Sequence, residues 1–211
     1  MIESYFIFIL FFVLTMYLTT LIRERVRSFP FSDVIRPIIF FVPFIMPVFF
    51  FTLPNFILNA GFKAYLIAIL SSLIGLSLHY KDFQPYFYKD FYTLLPVLPL
   101  KWFIITEISL IGSAVFEEIF YRGFVPKSSL LIEILFSCGL FTVAHFIQKP
   151  TRQEFTLKSY IVLFIVSIGW YFSYKISDSL VPSIIGHLLF NAPKIIASFI
   201  QYIITRKIDH M

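Results

Sequence analysis

Charged residues are scarce in this sequence: 14% of its 211 residues are Asp, Glu, Lys or Arg, whereas 59% are hydrophobic. Soluble domains carry roughly a quarter charged residues, so this balance excludes an ordinary soluble protein. The single cysteine, Cys138, excludes an intrachain disulfide, and its apolar neighbours predict a small buried core residue. Short alternating strands are also lacking, which favours helices over a barrel. The sequence therefore predicts a helical integral membrane protein.

The apolar residues fall into seven long segments. Runs of about 20 apolar residues suffice to cross a hydrocarbon core of about 30 Å as helices. We therefore expect an all-α, polytopic transmembrane bundle of about seven helices, within a range of six to eight, forming a single domain over residues 1–211. Four prolines in the second segment predict kinks or local unwinding there. The segments lie at about 4–22, 37–60, 64–79, 102–125, 129–146, 159–175 and 182–204.

The basic residues are concentrated in alternate loops of this arrangement. Because basic loops stay in the cytoplasm, the richer side is predicted to be cytoplasmic and the N-terminus to be outside. This topology explains the formal net charge of +5 without a nucleic-acid partner. The richer side holds Arg23, Arg25, Arg27, Arg36, Lys81, Lys89, Lys101, Lys149, Arg152, Lys158, Arg206 and Lys207, and the opposite side holds Lys63, Lys127 and Lys175.

Two glutamates and an arginine interrupt the fourth apolar segment, in the stretch FEEIFYRGF at 116–124. Each ionisable residue at the centre of a membrane helix costs about 2.5 to 3.5 kcal/mol on insertion scales, which marks Glu117, Glu118 and Arg122 as functional candidates. Glu118 and Arg122 are four residues apart and are predicted to form an ion pair on one helix face. Glu117 points about 100° away and lacks a partner at helical spacing, so it is a candidate general base.

Two later segments carry further polar residues in pairs one helical turn apart. Phe141 and His145 share one face, although a lone buried histidine is more often a structural core residue. His187 and Asn191 share another, and imidazole and amide donors on one face suit an oxyanion site. Three other polar residues in apolar segments are interpreted as structural, since they lie near segment ends or can reach the interface: Glu107, Glu133 and Lys194.

Together, the pattern Glu117-Glu118-x-x-x-Arg122, the pair Phe141 and His145, and the pair His187 and Asn191 resemble the motifs of the CPBP family. This family comprises CAAX proteases and bacteriocin-processing enzymes and is also called the Abi family. The resemblance covers a motif-bearing core of about residues 100–205. It implies an intramembrane endopeptidase, with the type II CAAX prenyl endopeptidases as relatives.

The resemblance also implies roles for individual residues. Glu117 and His145 would activate a water molecule, and His187 and Asn191 would bind the oxyanion, with Glu118 and Arg122 in support. The family is often labelled metalloprotease, and Glu117, His145 and His187 are the candidate ligands if zinc is bound. Because the H-E-x-x-H spacing of zincins is lacking, we prefer water activation by glutamate without a cofactor.

The spacing between the first two motifs raises a geometric difficulty. A turn near 126–128 would place Glu118 about 15 Å and His145 about 25 Å from it along regular helices. Straight α-helices would therefore leave the two motifs at different depths, and tilt or local unwinding near Gly123 would have to bring them level.

Two other functions use the same kinds of residue. One is a non-catalytic membrane scaffold, such as an immunity or regulatory protein of the same family. The other is a transporter with ionisable residues in its interior, although no paired halves with broken helices are visible. For a protease, the expected partners are the lipid bilayer and a membrane-associated peptide or protein. The Phe, Ile and Lys bias favours a bacterial cell membrane as its location, and the oligomeric state stays open.

Overall fold

The computed structural model describes residues 2–26 and 31–209, with side chains up to Arg206, and its described part is helical without strands. Arg27 and the side chain of Lys207, both used in the topology prediction, lie outside this description. The all-α prediction is confirmed. The helices are α1 Ile2–Arg25, α2 Ser32–Ile39, α3 Val42–Ile45, α4 Phe62–Leu78, α5 Tyr80–Phe83, α6 Lys89–Thr93, α7 Leu100–Glu118, α8 Leu130–Ile134, α9 Leu140–Ile147, α10 Lys149–Glu154, α11 Leu157–Ser177 and α12 Val181–Asp209.

Each of the seven predicted segments contains helix, but fewer meet the requirements for a membrane span. Among the described residues, five helical stretches are long and apolar enough, or six if α4 and the helical turns after it, bent by 75°, count as one. The count therefore stays below seven and reaches the lower end of the predicted range of six to eight when the bent pair is included. Helix α7 is not among the five because Lys101, Glu107, Glu117 and Glu118 lie within its 19 residues. The chain is a multi-pass membrane protein, and α7 carries the two glutamates of the first motif.

The second predicted span, 37–60, is wrong at both ends. Helix begins at Ser32 and ends at Phe49, after a short 3₁₀ segment Met46–Phe49, and the chain is not helical from there to Gly61. Proline has no backbone N–H and disfavours helical continuation, which explains the breaks around Pro43 and Pro47. The predicted unwinding at prolines is confirmed, but it shortens the span and leaves a long non-helical connection.

Small residues let α4, α11 and α12 pack closely. A Cβ added at Gly186 of α12 would lie 2.8 Å from Trp170 Nε1 and 3.0 Å from the Ala68 Cβ, so only glycine fits. The Ser72 hydroxyl donates to the Gly186 carbonyl (2.6 Å) and accepts from Trp170 Nε1 (2.9 Å). These contacts fix the Trp170 indole beside the first turns of α12, where one of the predicted site residues lies.

Two of the residues interpreted as structural form tertiary contacts away from the predicted site. Glu133 accepts hydrogen bonds from the Ser128 N–H (2.6 Å), the Tyr171 hydroxyl (2.5 Å) and Lys175 Nζ (2.5 Å). Glu107 accepts from the Ser198 hydroxyl and so joins α7 to α12. Cys138 is fully buried, as predicted.

The basic loops lie together at one end of the bundle. There Arg23 Nη2 donates to Gln148 Oε1 (3.3 Å), and Lys101 pairs with Asp33 (2.6 Å). At the opposite end the Tyr5 hydroxyl donates to the Pro126 carbonyl (2.7 Å). The loops that the charge pattern assigns to one side of the membrane are thus neighbours in space.

Cysteine labelling is expected to confirm this orientation in the membrane. In a Cys138→Ser background, Lys127→Cys should react with an impermeant thiol reagent applied from outside, whereas Arg152→Cys should react only after the membrane is opened. The positive-inside rule gives this expectation, because Arg152 lies on the richly basic side. External labelling at residue 152 would reverse the assigned orientation.

Candidate active site

The last turn of α7 and the π-helical turn after it, Ile119–Gly123, hold the first motif. Arg122 Nε lies 3.2 Å from Glu118 Oε2, so the predicted ion pair is present, and both side chains are buried. The guanidinium also donates to Ser137 Oγ (3.0 Å) and Ser167 Oγ (3.0 Å). Arg122 therefore ties α7 to two other helical segments and neutralises Glu118 inside the bundle.

Glu118 links this arginine to the third motif. Its Oε1 accepts a hydrogen bond from His187 Nδ1 at 3.1 Å. The imidazole of His187 stacks on Trp170, with ring centroids 4.4 Å apart and an interplanar angle of 15°. A hydrogen bond at one nitrogen and a stacked indole fix the orientation of the ring. His187 Nε2 consequently faces Glu117.

Glu117 lies between the two motif histidines. Its Oε2 is 3.9 Å from His145 Nε2 and 4.0 Å from His187 Nε2, and this buried oxygen accepts no hydrogen bond from any described residue. Separations above about 3.5 Å between polar atoms call for a bridging water or substrate atom. The structure thus brings together Glu117, Glu118, Arg122, His145 and His187, all of which the sequence singled out.

The tautomer of His145 follows from its other contact. Nδ1 lies 2.9 Å from the carbonyl of Phe141, which can only accept, so Nδ1 carries the proton. In the neutral ring Nε2 then presents a lone pair to the space beside Glu117 Oε2. Phe141 lies one helical turn before His145, and its backbone carbonyl orients the imidazole ring of His145.

Two π-helical turns lie between the first two motifs. The segments Ile119–Gly123 and Leu135–Gly139 each contain an i→i+5 turn and lie on the two sides of the 124–129 connection. His145 Nε2 lies 3.9 Å from Glu117 Oε2, so the separation expected from straight, regular α-helices is not present. A local distortion of the helix near Gly123, as predicted, is present.

Asn191 lies one turn after His187, but its amide is engaged with α7. Nδ2 donates to the Leu110 carbonyl (3.1 Å) and lies 3.5 Å from Ser113 Oγ. Both interactions use the protons that an oxyanion hole would need. The oxyanion role of Asn191 stays a prediction, and it requires the amide to turn or to exchange these partners.

Two cavities meet at this cluster. The larger, about 330 Å³, is lined by Glu117, His145, His187 and Asn191 and extends toward α1 and α2. The smaller, about 270 Å³, shares both histidines and Asn191 and extends toward His79 and Asp82. Lys194, interpreted as structural from the sequence, borders both cavities. The cluster is therefore reachable from two directions by a molecule larger than water.

The candidate zinc ligands are more widely spaced than the ligands of a regular tetrahedral zinc site. Two ligands of a tetrahedral zinc at about 2.1 Å lie about 3.4 Å apart. The two carboxylate-to-imidazole separations are 3.9 and 4.0 Å. Across residues 2–26 and 31–209, no group of three His, Cys, Asp or Glu side chains could hold a metal ion.

Several supporting residues were missed by sequence reasoning. Ser137 and Ser167 are isolated hydroxyls in apolar helices and have no fixed spacing from Arg122 along the chain. Trp170 looks like a core aromatic. A signal was available only for Gly186, since a glycine inside a predicted helix indicates close packing.

This combination defines a class: a polytopic helical membrane protein with carboxylate, guanidinium and imidazole groups collected among its helices. Residues 99–193 match the family model described as Type II CAAX prenyl endopeptidase Rce1-like, and this match confirms the predicted resemblance to the CPBP family of CAAX proteases. All six predicted site residues lie within the matched segment. Neither the curated proteins nor the solved structures gave a significant match.

Proposed function

We propose that this chain is an intramembrane endopeptidase that hydrolyses a peptide bond in a membrane-associated peptide or protein of a bacterial cell membrane. The family match supports protease activity, and one observation carries the proposal. Glu117 Oε2 is buried, accepts no hydrogen bond from the residues that the structure describes, and lies about 4 Å from both imidazole Nε2 atoms. A scissile carbonyl in either adjoining cavity could approach this point.

In the proposed reaction, a water molecule held by Glu117 and His145 loses a proton to this pair as its oxygen attacks the carbonyl carbon. The C–N bond then breaks, and the same proton passes to the leaving amine. The first products are a carboxylic acid and an amine, and the acid proton then passes to the amine. The resulting carboxylate and ammonium groups balance in atoms and charge without an added cofactor.

His187 is assigned to the oxyanion that forms during attack. Its Nδ1–H is bound by Glu118, so Nε2 donates a hydrogen bond only when the ring is cationic. The Glu118 carboxylate at 3.1 Å supports that cation, and Arg122 holds Glu118 in place. We therefore assign Glu118 and Arg122 to positioning His187, and Asn191 to a second donor after release from Leu110.

The Asn191→Ala variant tests the oxyanion assignment. We expect kcat to fall by about 100- to 1000-fold with little change in KM, since the interaction forms only in the transition state. Activity of purified protein and its metal content should be measured together for wild type, Asn191→Ala and His187→Ala. Stoichiometric zinc that is lost in His187→Ala, with near-normal turnover in Asn191→Ala, would overturn the assignment in favour of a metalloprotease.

A further inference from the structure

The larger cavity beside Glu117 has an unusual charge distribution. Its lining includes three basic side chains, from Arg23, Arg36 and Lys194, and Glu117 is the one carboxylate among the described residues that border it. The charge of Lys194 is partly neutralised by Glu154, whose carboxylate lies 3.9 Å from Lys194 Nζ. The two arginines come from α1 and α2, outside residues 99–193, so the family match says nothing about them.

Contacts with Phe40 and Gln148 help to orient Arg23. Its guanidinium lies 5.1 Å from the centroid of the Phe40 ring, and Nη2 donates to Gln148 Oε1 at 3.3 Å. Gln148 and Phe40 border the same cavity. A guanidinium carries five N–H donors in its plane, and stacking on an aromatic ring does not use them. Arg23 therefore presents a fixed positive group at the cavity wall.

Arg36 is half-buried on α2 and makes no ion pair with any described residue. Asp33, one turn earlier in the same helix, is bound by Lys101 at 2.6 Å. The nearest acidic residue on this helix, Asp33, therefore forms its ion pair with Lys101. Arg36 therefore borders the cavity without an ion-pair partner among the described residues.

Two guanidinium groups on one partly apolar cavity repel each other, and an anion between them removes that cost. Arginine matches the two oxygens of a carboxylate with paired N–H donors. We propose that Arg23 and Arg36 form a specificity subsite that binds a carboxylate of the peptide substrate while the scissile bond lies at Glu117. This inference rests on the proposed endopeptidase function, and it adds that the substrate carries a negatively charged carboxylate. The carboxylate can be the peptide's C-terminus or an Asp or Glu side chain.

Matched synthetic peptides test the subsite. A peptide library is prepared in four forms, with a C-terminal acid or amide and with Glu or Gln at one internal position. Cleavage by the full-length protein in lipid nanodiscs is followed by mass spectrometry. We expect kcat/KM to be about 10- to 100-fold higher for forms with the recognised carboxylate, the range of one charge-assisted interaction. Whether the preference follows the terminus or the side chain identifies the source of the group.

Variants separate this subsite from a general charge effect. Arg36→Gln should lower kcat/KM for the acid forms to that of the neutral forms, and Arg36→Lys should restore part of the preference. Arg25→Gln removes an exposed arginine at the end of α1 that does not border the cavity, and it should keep the full preference. Equal cleavage of charged and neutral forms by wild type would overturn the subsite while leaving the protease function intact.

A binding measurement keeps the two proposals distinguishable. Anisotropy of fluorescent forms of the same peptides is measured with the Glu117→Gln variant, which is expected to bind without cleaving. An Arg36-dependent preference for the acid forms, without cleavage of any peptide by wild type, would support the subsite and count against the protease. Equal Kd values for acid and neutral forms, or no measurable binding, would reject the subsite.

Discussion

Replacing Glu117 with glutamine is expected to lower proteolysis by about 100- to 10,000-fold, the usual contribution of a general base. Glutamine has the same shape but cannot accept the proton of the attacking water. Glu117 Oε2 accepts no hydrogen bond from the described part of the chain, so its neutral replacement leaves no protein group without a partner. Membrane abundance and thermal stability should therefore stay near the wild-type values.

The measurement is turnover of a cleaved peptide or precursor, normalised to the amount of protein in the membrane. Glu154→Gln is the matched control, because this exposed carboxylate borders the smaller cavity and lies outside the cluster. It should keep activity within a few-fold of wild type. Full activity of Glu117→Gln would rule out its role as the base.

Loss of Arg122 is expected to have the largest effect on stability. Arg122→Ala would leave the fully buried Glu118 without its cation, and breaking a buried pair by removing one partner costs about 3 to 5 kcal/mol. The hydrogen bonds that the guanidinium donates to Ser137 and Ser167 would be lost as well. Thermal unfolding in detergent and the level of membrane protein should both fall clearly.

Arg206→Ala serves as the control for this experiment, because Arg206 is exposed and contacts only the Tyr202 side chain among the described residues. Its unfolding temperature should match the wild type. Since Glu118 also holds His187, activity per folded molecule should fall in Arg122→Ala. An unchanged melting profile together with unchanged activity would contradict the role of the ion pair.

The sequence predicted the parts of this molecule that depend on local spacing. A four-residue separation on a helix predicted the Glu118 and Arg122 pair, and the same geometry separated Glu117 from Glu118. The family resemblance then grouped these residues with His145 and His187, which lie beside Glu117 in space. Composition predicted the helical membrane fold, because membrane spans need long apolar runs.

Other features depend on contacts between distant parts of the chain. The hydrogen bonds of Arg122 to Ser137 and Ser167 cross from one helix to another, and nothing in the residue spacing indicates them. The amide of Asn191 binds a carbonyl 81 positions away, which periodicity does not reveal. The end of the second span at Phe49 depends on the contacts that the turns disrupted by proline make with the rest of the chain. Tertiary structure alone fixes these features.

The π turn Leu135–Gly139 makes the number of residues before His145 significant in itself. A π turn holds one residue more than an α turn, so deleting a residue there would let the helix continue with regular hydrogen bonds. Every later side chain on that helix would then rotate by about 100° relative to α7. The shortened chain would keep its apolar character, its helix and all its motif residues. His145 would nevertheless face away from Glu117, so the geometry of the cluster depends on the number of residues as well as on their identity.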